Sequence, residues 1–106
     1  MLTKYTENAA RKPLPFVQAR HYSKGRSLPI LAIVIHTAEC NESPSAAENV
    51  AAYFAGPNAP QASAHYCVDC DSVVQCVRDE DTSWHAGPVN GWTIGLELAG
   101  KAGQGD

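Results

Sequence analysis

Basic residues are few in this sequence, and they do not cluster. Lys and Arg together number 8, Asp and Glu number 11, and the formal net charge is −3 over 106 residues. Because a nucleic-acid-binding surface is normally a basic patch, this composition argues against nucleic acid as a partner. No apolar run is long enough to cross a membrane. The first residues, Met1 to Asn8, lack the apolar core of a signal peptide, so we expect no ordinary secretion.

The spacing of the cysteines also does not match a complete zinc-binding or disulfide pattern. The four are Cys40, Cys67, Cys70 and Cys76. Cys67 and Cys70 have the spacing of half a zinc knuckle, but neither a second Cys pair nor a His-x-x-x-His follows. In a hairpin that turns at Cys70 and Asp71, Cys67 and Cys76 are diagonal neighbours at a marginal distance for a disulfide. We expect reduced core thiols; a small zinc or disulfide module is the alternative.

The composition is otherwise that of one globular domain. Hydrophobic residues make up 44% of the chain and charged residues 18%, which is typical of a folded protein of this length. The first 15 residues are polar and lack an apolar period. We therefore predict an N-terminal arm over residues 1–15 and a domain over residues 16–106.

Two apolar runs predict the main strands. Residues 31–37 (LAIVIHT) form a solid aliphatic run that predicts a strand buried on both faces. His36 at its end would be held rigidly, which suits a metal ligand or a proton-transfer group; a structural His is the alternative. Residues 92–98 predict a second buried strand, in which Glu97 is costly unless it is paired or used. Gly95 leaves room above that strand.

Helix and hairpin signals lie between these strands. Ser43 with Pro44, or Ser45 with Glu48, can begin a helix, and Gly56 can end it. Its core face is predicted to be Ala47, Val50, Ala51 and Phe54. Residues 64–68 and 73–77 predict a hairpin, and residues 16–22 a possible edge strand with an exposed His21. This order predicts an α/β domain with a mixed central sheet. Only one helix is evident, so one sheet face is expected to lack cover.

The chemistry-bearing residues are few. The two predicted strands each carry one reactive side chain, His36 and Glu97, and Trp84 and His85 lie between them on a loop with Gly87 and Pro88. A Gly/Pro-containing loop beside a sheet is a suitable ligand-contact element; a Trp that covers the core is the alternative. One His and one Glu suit a zinc hydrolase, which needs three protein ligands and an open water position. The sequence has neither an H-E-x-x-H motif nor a nucleophile elbow.

Four segments together resemble the type 2 N-acetylmuramoyl-L-alanine amidases, a family that shares its fold with the peptidoglycan recognition proteins. They are residues 33–38 (IVIHTA), 63–68 (SAHYCV), 84–87 (WHAG) and 90–100 (NGWTIGLELAG). Each motif alone is weak, but the four occur in the order and spacing of the family. The fuller match, over residues 16–100, is most similar to the amidase domains of endolysins from phages of actinobacteria.

The resemblance implies a reaction and a role for each residue. The family cleaves the amide between the lactyl group of N-acetylmuramic acid and L-alanine of the peptidoglycan stem peptide, using zinc. By position, His36 matches the first zinc ligand and Glu97 the general base. Trp84 and His85 match the loop that lines the substrate groove. Zinc lowers the pKa of bound water toward ~7, and a nearby carboxylate can then accept its proton.

The sequence departs from the family in two places. Ala64 stands where some branches have a catalytic Tyr, which favours the branch that uses Glu97. His65 is then expected to pack in the hairpin and not to bind metal. The family's other two zinc ligands and a Lys lie beyond the strand of Glu97, but this sequence ends at Asp106. We therefore expect an amidase domain that lacks its C-terminal part and binds zinc weakly or not at all. A non-catalytic peptidoglycan-binding module or an inactive fragment is the alternative.

The resemblance also implies partners and a location. Peptidoglycan is the expected partner, with no nucleic acid and no membrane. The uncovered sheet face is expected to pair with the missing C-terminal segment or with a second copy. Synthesis in the host cytoplasm and action on the bacterial cell wall are implied.

Overall fold

A four-stranded mixed sheet with one helix packed on it organises the structure. The computed structural model describes residues 14–37 and 45–99. The elements in chain order are β1 (Tyr22–Ser23), β2 (Ala32–Thr37), α1 (Ala46–Ala55), β3 (Tyr66–Val68), β4 (Val73–Gln75), β5 (Thr82–Ser83), a 3-10 helix (Gly87–Trp92) and β6 (Thr93–Leu98). The arm predicted over residues 1–15 lies almost wholly outside the described ranges, as does Cys40. No helix within those ranges is long and apolar enough to cross a membrane.

Strand β6 is at the centre of the pairing. The sheet has the order β2-β6-β3-β4. Both β2 and β3 run parallel to β6, whereas β4 is antiparallel to β3. The chain passes through α1 between β2 and β3, since parallel strands need such a crossover. This arrangement confirms the predicted α/β fold with a mixed sheet.

The prediction that residues 31–37 are buried on both faces is wrong. Among the described residues β2 is an edge strand, with β6 as its neighbour. Ile33 is 65% exposed and Ile35 is 60% exposed. The cause is that α1 contacts β3 and β4, on the other face of the sheet from these two side chains. An apolar run predicts a strand, but it does not reveal how many neighbours the strand has.

The core lies between α1 and the β3-β4 hairpin. Three of the four predicted core residues of the helix, Ala47, Ala51 and Phe54, are buried, and Val50 packs against the same cluster. Small alanines let the helix approach the hairpin closely, while Phe54 is the largest buried side chain of the helix. The helix ends at Ala55, as Gly56 followed by Pro57 predicted.

The hairpin has the predicted register. Cys67 pairs with Val74, and the N–H of Asp69 donates to the carbonyl of Ser72 at 3.0 Å to close the turn. Cys67 and Cys76 are buried free thiols whose Sγ atoms are 3.6 Å apart. They pack in the core as thiols, as expected.

The helix N-terminus is capped from the hairpin turn. Helix α1 begins after Ser45, whose side chain makes no capping hydrogen bond; the alternative start at Ser43 and Pro44 falls outside the described residues. One oxygen of Asp69 accepts the N–H of Ala47 at 2.8 Å. The other oxygen accepts the backbone N–H groups of Asp71 and Ser72. Partial burial alone would raise the pKa of Asp69, but these hydrogen bonds hold it below its ordinary value.

Two elements are missing from the sequence-based prediction. The charged loop after the hairpin contains β5, which pairs with β1 in a separate antiparallel ribbon. The Thr82 hydroxyl donates to the carbonyl of Gly25 at 2.6 Å, which strengthens this ribbon. The second is the 3-10 helix over Gly87–Trp92, which leads into β6. The edge strand predicted over residues 16–22 is reduced to β1 and one bridge from Phe16 to Gln75.

Because one carboxylate joins the helix to the turn, Asp69→Ala should lower the free energy of unfolding by about 1–3 kcal/mol. Asp69→Asn retains one carbonyl oxygen and should lose less. Urea unfolding followed by circular dichroism measures both. Asp71→Ala is the matched control, since its side chain is exposed while its backbone N–H is retained. Equal losses for Asp69→Ala and Asp71→Ala would contradict the role given to Asp69.

Candidate functional site

The parallel pairing of β2 with β6 brings two of the predicted site residues together. His36 and Glu97 are register partners on these adjacent strands. Glu97 is also the register partner of Cys67 on β3, so all three side chains lie on the face that carries α1. Because the helix packs over β3 and β4, His36 and Glu97 remain half-buried and accessible.

The environment of Glu97 favours its protonated form. Burial raises the pKa of its carboxyl, and the neighbouring His36 lowers it by a smaller amount. A carboxyl whose pKa is moved toward neutrality is better suited to exchange protons during a reaction. The carboxyl that looked costly in an apolar strand therefore lies half-buried beside His36.

The imidazole of His85 lies directly above Gly95. A Cβ atom at Gly95 would be 2.6 Å from Cγ of His85, so only glycine permits this approach. His85 Nδ1 is 3.1 Å from Nε2 of His36, and His85 Nε2 is 2.9 Å from the hydroxyl oxygen of Thr93. Burial, followed by the nearby His36, His65 and Arg26, lowers the pKa of His85 to about 4. The room predicted above the sheet is therefore occupied by a histidine that is neutral at pH 7.

The loop of His85 is held by Asn90. The side-chain oxygen of Asn90 accepts the N–H groups of His85 at 3.1 Å and Ala86 at 2.7 Å. Gly87 has a φ of 60°, which a residue with a side chain rarely adopts. This local geometry turns the chain so that the His85 side chain points onto the sheet. Sequence reasoning missed this role of Asn90, because its side chain bonds to backbone groups four and five residues earlier in the chain.

Trp84 lies in a second group of side chains, beside β1. Its indole N–H donates to the Ser23 hydroxyl at 2.9 Å. Its ring stacks on His21 with centroids 5.6 Å apart. His21, expected to be exposed, is half-buried by this contact. Successive residues thus point in different directions, with His85 toward His36 and Trp84 toward β1.

His65 is a buried structural residue, as predicted. It is fully buried, and its Nδ1 accepts the N–H of Gly95 at 3.1 Å. A backbone N–H can only donate, so Nδ1 carries no proton, and Nε2 donates to the carbonyl of Asp81 at 2.9 Å. Burial lowers the pKa of His65 by more than the Asp81 carbonyl raises it. The ring is therefore a neutral link between the hairpin, β6 and the loop before β5.

Arg26 is a further residue that sequence reasoning missed. Its guanidinium donates to the carbonyls of Asp79 at 2.6 Å and Thr93 at 2.9 Å. These contacts connect the turn after β1 to the start of β6. An isolated Arg in a turn-rich segment carries no sequence signal for such a role.

The described ranges contain one group of three close metal-ligating side chains, formed by Asp69, Cys70 and Asp71. Both oxygens of Asp69 already accept hydrogen bonds from the turn and the helix, so this group is part of the turn structure. Within residues 14–37 and 45–99, no group of three donors includes His36. His36 is thus one potential ligand without two close companions among the described residues.

Comparison with known families and structures gives a consistent result. Residues 26–106 match the family model described as N-acetylmuramoyl-L-alanine amidase. The fold is similar to the catalytic domain of XlyA, with a TM-score of 0.69 and 22% identity over 90% of this chain and 65% of that one. It is also similar to a selenomethionine derivative of AmpD, with a TM-score of 0.63 and 24% identity over 82% of this chain and 61% of that one.

A mutant endolysin from Bacillus subtilis is a third similar structure, with a TM-score of 0.59 and 22% identity over 89% of this chain and 60% of that one. The chain spans less than two-thirds of the length of each of these structures. At such identities the likeness establishes the fold. None of the curated proteins matches the sequence.

The neutral, buried state of His65 predicts that the protein loses stability on acidification. Its folded pKa lies below its unfolded value of about 6.5, so its contribution is complete above that pH. The contribution is lost as the pH falls further, because the unfolded chain binds a proton that the folded chain excludes. Urea unfolding between pH 7.5 and pH 5 should show this slope. His65→Gln, which cannot titrate, should reduce it; an unchanged slope would contradict the assignment.

The close approach at Gly95 predicts that Gly95→Ala displaces His85. The added methyl group should lower the free energy of unfolding by about 1–3 kcal/mol through overpacking. A double-mutant cycle with His85→Ala tests the cause. Because His85→Ala removes the ring, Gly95→Ala should cost little further stability in that background. Additive losses would show that the ring is not what excludes a side chain at this position.

Proposed function

The chain belongs to the N-acetylmuramoyl-L-alanine amidase family, and from this we propose that it carries part of the active site of a peptidoglycan amidase. The proposed reaction is hydrolysis of the amide between the lactyl group of N-acetylmuramic acid and L-alanine of the stem peptide. One observation carries the proposal. His36 and Glu97, a potential metal ligand and a potential base, are register partners near the C-terminal ends of two adjacent parallel strands.

Zinc is the proposed cofactor, with His36 as one of its ligands. His36 fits this role because its imidazole is half-buried at a rigid strand end, and one ring nitrogen, Nε2, contacts His85. Nδ1 is then the atom that can coordinate. Two further ligands are proposed to come from parts of the protein outside the described residues. When bound, zinc would polarise the scissile carbonyl and acidify a water molecule.

Glu97 is the proposed general base. Its raised pKa and its position beside His36 support this role. In the ionised form the carboxylate can accept a proton from the attacking water. It can then return that proton to the departing nitrogen of L-alanine, which makes the amine a better leaving group.

The loop of Trp84 and His85 is the proposed wall of the substrate groove. Asn90 holds the backbone of this loop, and Trp84 remains half-buried against His21. An aromatic ring held in this way offers a flat apolar surface with a limited entropy cost on binding. Sugar rings and alanine methyl groups of peptidoglycan suit such a surface.

A role in phage lysis is the proposed biological setting. The fold is similar to that of an endolysin, which supports synthesis in a host cytoplasm and action on the bacterial cell wall. A non-catalytic peptidoglycan-binding module is the second candidate. The finding that favours it is that no described group of three donors includes His36.

The apolar face opposite α1 is the proposed surface for a further partner. Its exposed members are Ile33, Ile35 and Leu98. A continuous apolar surface of this kind marks a contact site. The proposed partner is a further segment of the amidase domain, with a second copy of the chain as the alternative.

Substitution of Glu97 tests the proposed reaction in the full-length parent protein. Glu97→Gln keeps the size of the side chain but cannot accept a proton, so hydrolysis of purified peptidoglycan should fall at least about 100-fold. Zinc content and unfolding should remain those of the parent. Glu80→Gln is the matched control at an exposed carboxyl and should retain full activity.

The two candidate functions give different results in the same assays. If the parent sediments with peptidoglycan but never cleaves it, the binding module is favoured. Unchanged hydrolysis by Glu97→Gln would remove Glu97 from the reaction.

A further inference from the structure

Thr93, His85 and His36 form a hydrogen-bonded row. Counting the protons available to each group shows which group donates in each contact. The Thr93 hydroxyl oxygen is 2.9 Å from the carbonyl oxygen of Val89. A carbonyl only accepts, so the single hydroxyl proton is donated to Val89. The same Thr93 oxygen is 2.9 Å from Nε2 of His85. With its own proton committed, Thr93 must accept there, and the proton of that contact belongs to Nε2 of His85.

The next contact follows from this assignment. In the neutral ring a proton on Nε2 leaves a lone pair on Nδ1. His85 Nδ1 is 3.1 Å from Nε2 of His36, so His36 must donate from Nε2. When the His36 ring carries a single proton, that proton is on Nε2 and the lone pair is on Nδ1.

We propose that Thr93 and His85 are positioning residues that hold His36 in its Nε2–H form and present Nδ1 as the ligand atom. The hydrogen-bond row is independent of any metal, whereas the use of Nδ1 as a ligand rests on the proposed function. Donation by a ligand histidine to a second group fixes both the tautomer and the ring orientation. His85 therefore acts through His36, in addition to the proposed role of its loop in the substrate groove.

The surrounding structure is arranged to hold this row in place. Thr93 is fully buried at the start of β6. The carbonyl of Val89 comes from the 3-10 helix, which leads directly into β6. Gly95, two residues along the same strand, provides the space for the His85 ring. The ring centroids of His36 and His85 are 5.3 Å apart at an interplanar angle of 80°, a separation at which Nε2 of His36 reaches Nδ1 of His85.

The tautomers of His36 and His85 in the metal-free chain test the proposal directly. Long-range nitrogen–proton spectra at pH 7.5 distinguish a protonated from an unprotonated ring nitrogen. We expect Nε2–H for both His36 and His85 in the unsubstituted chain. A proton on Nδ1 of either ring would overturn the proposal, and this measurement needs no variant.

A matched pair of variants tests the part played by the hydroxyl. Thr93→Ser retains the hydroxyl and should leave both tautomers as they are. Thr93→Val has the same shape without it, so the His85 ring is no longer held, and the spectra should show a mixture of tautomers for His36. Amide spectra check that both variants fold. If Thr93→Val keeps the original tautomers, the hydroxyl does not set them and the proposal fails.

Zinc binding in the full-length parent separates this inference from the proposed function. Competition with a chromophoric chelator should show about a 10–100-fold loss of zinc affinity for Thr93→Val and little loss for Thr93→Ser. Equal affinity for the two variants would overturn the positioning role. If the unsubstituted parent binds no zinc although His36 has the expected tautomer, the proposed zinc site fails while the hydrogen-bond row stands.

Discussion

The parallel pairing of β6 with both β2 and β3 is the constraint on which the rest of the structure depends. It puts Glu97 between His36 on one side and Cys67 on the other. A shift of one residue in either register would move Glu97 to the opposite face from its partner, because side chains alternate along a strand. The positions of the His36–Glu97 pair and of the apolar core under α1 therefore depend on the same strand register.

The buried polar side chains around this sheet have hydrogen-bond partners within the protein. Within the described ranges, no buried side-chain nitrogen or oxygen lacks a hydrogen-bond partner. His65 accepts from the backbone of β6, and Asp69 joins the hairpin turn to the helix. Such links matter in a small domain, because an unpaired buried polar group costs about 1–3 kcal/mol of a small total stability.

The site combines a rigid strand pair with a loop that is precisely held. His36 and Glu97 take their positions from the sheet, whereas His85 takes its position from Asn90 and from the space above Gly95. Asn90 holds the backbone of the loop, and Gly95 leaves space for the His85 ring. The structure therefore explains why a glycine, an asparagine and a threonine, none of them reactive, stand close in sequence to the candidate catalytic residue.

The sequence by itself determined the helix face, the hairpin register and the two main strands, because these follow from local periodicity and turn chemistry. Its motifs also led to the prediction of His36 and Glu97 as candidate site residues. Only the tertiary structure decided that β2 lies at an edge among the described strands and that Trp84 turns away toward His21. It also revealed the contact of His85 with His36 and the contribution of Arg26. These features depend on contacts between residues far apart in the chain, and no local pattern records which strands become neighbours.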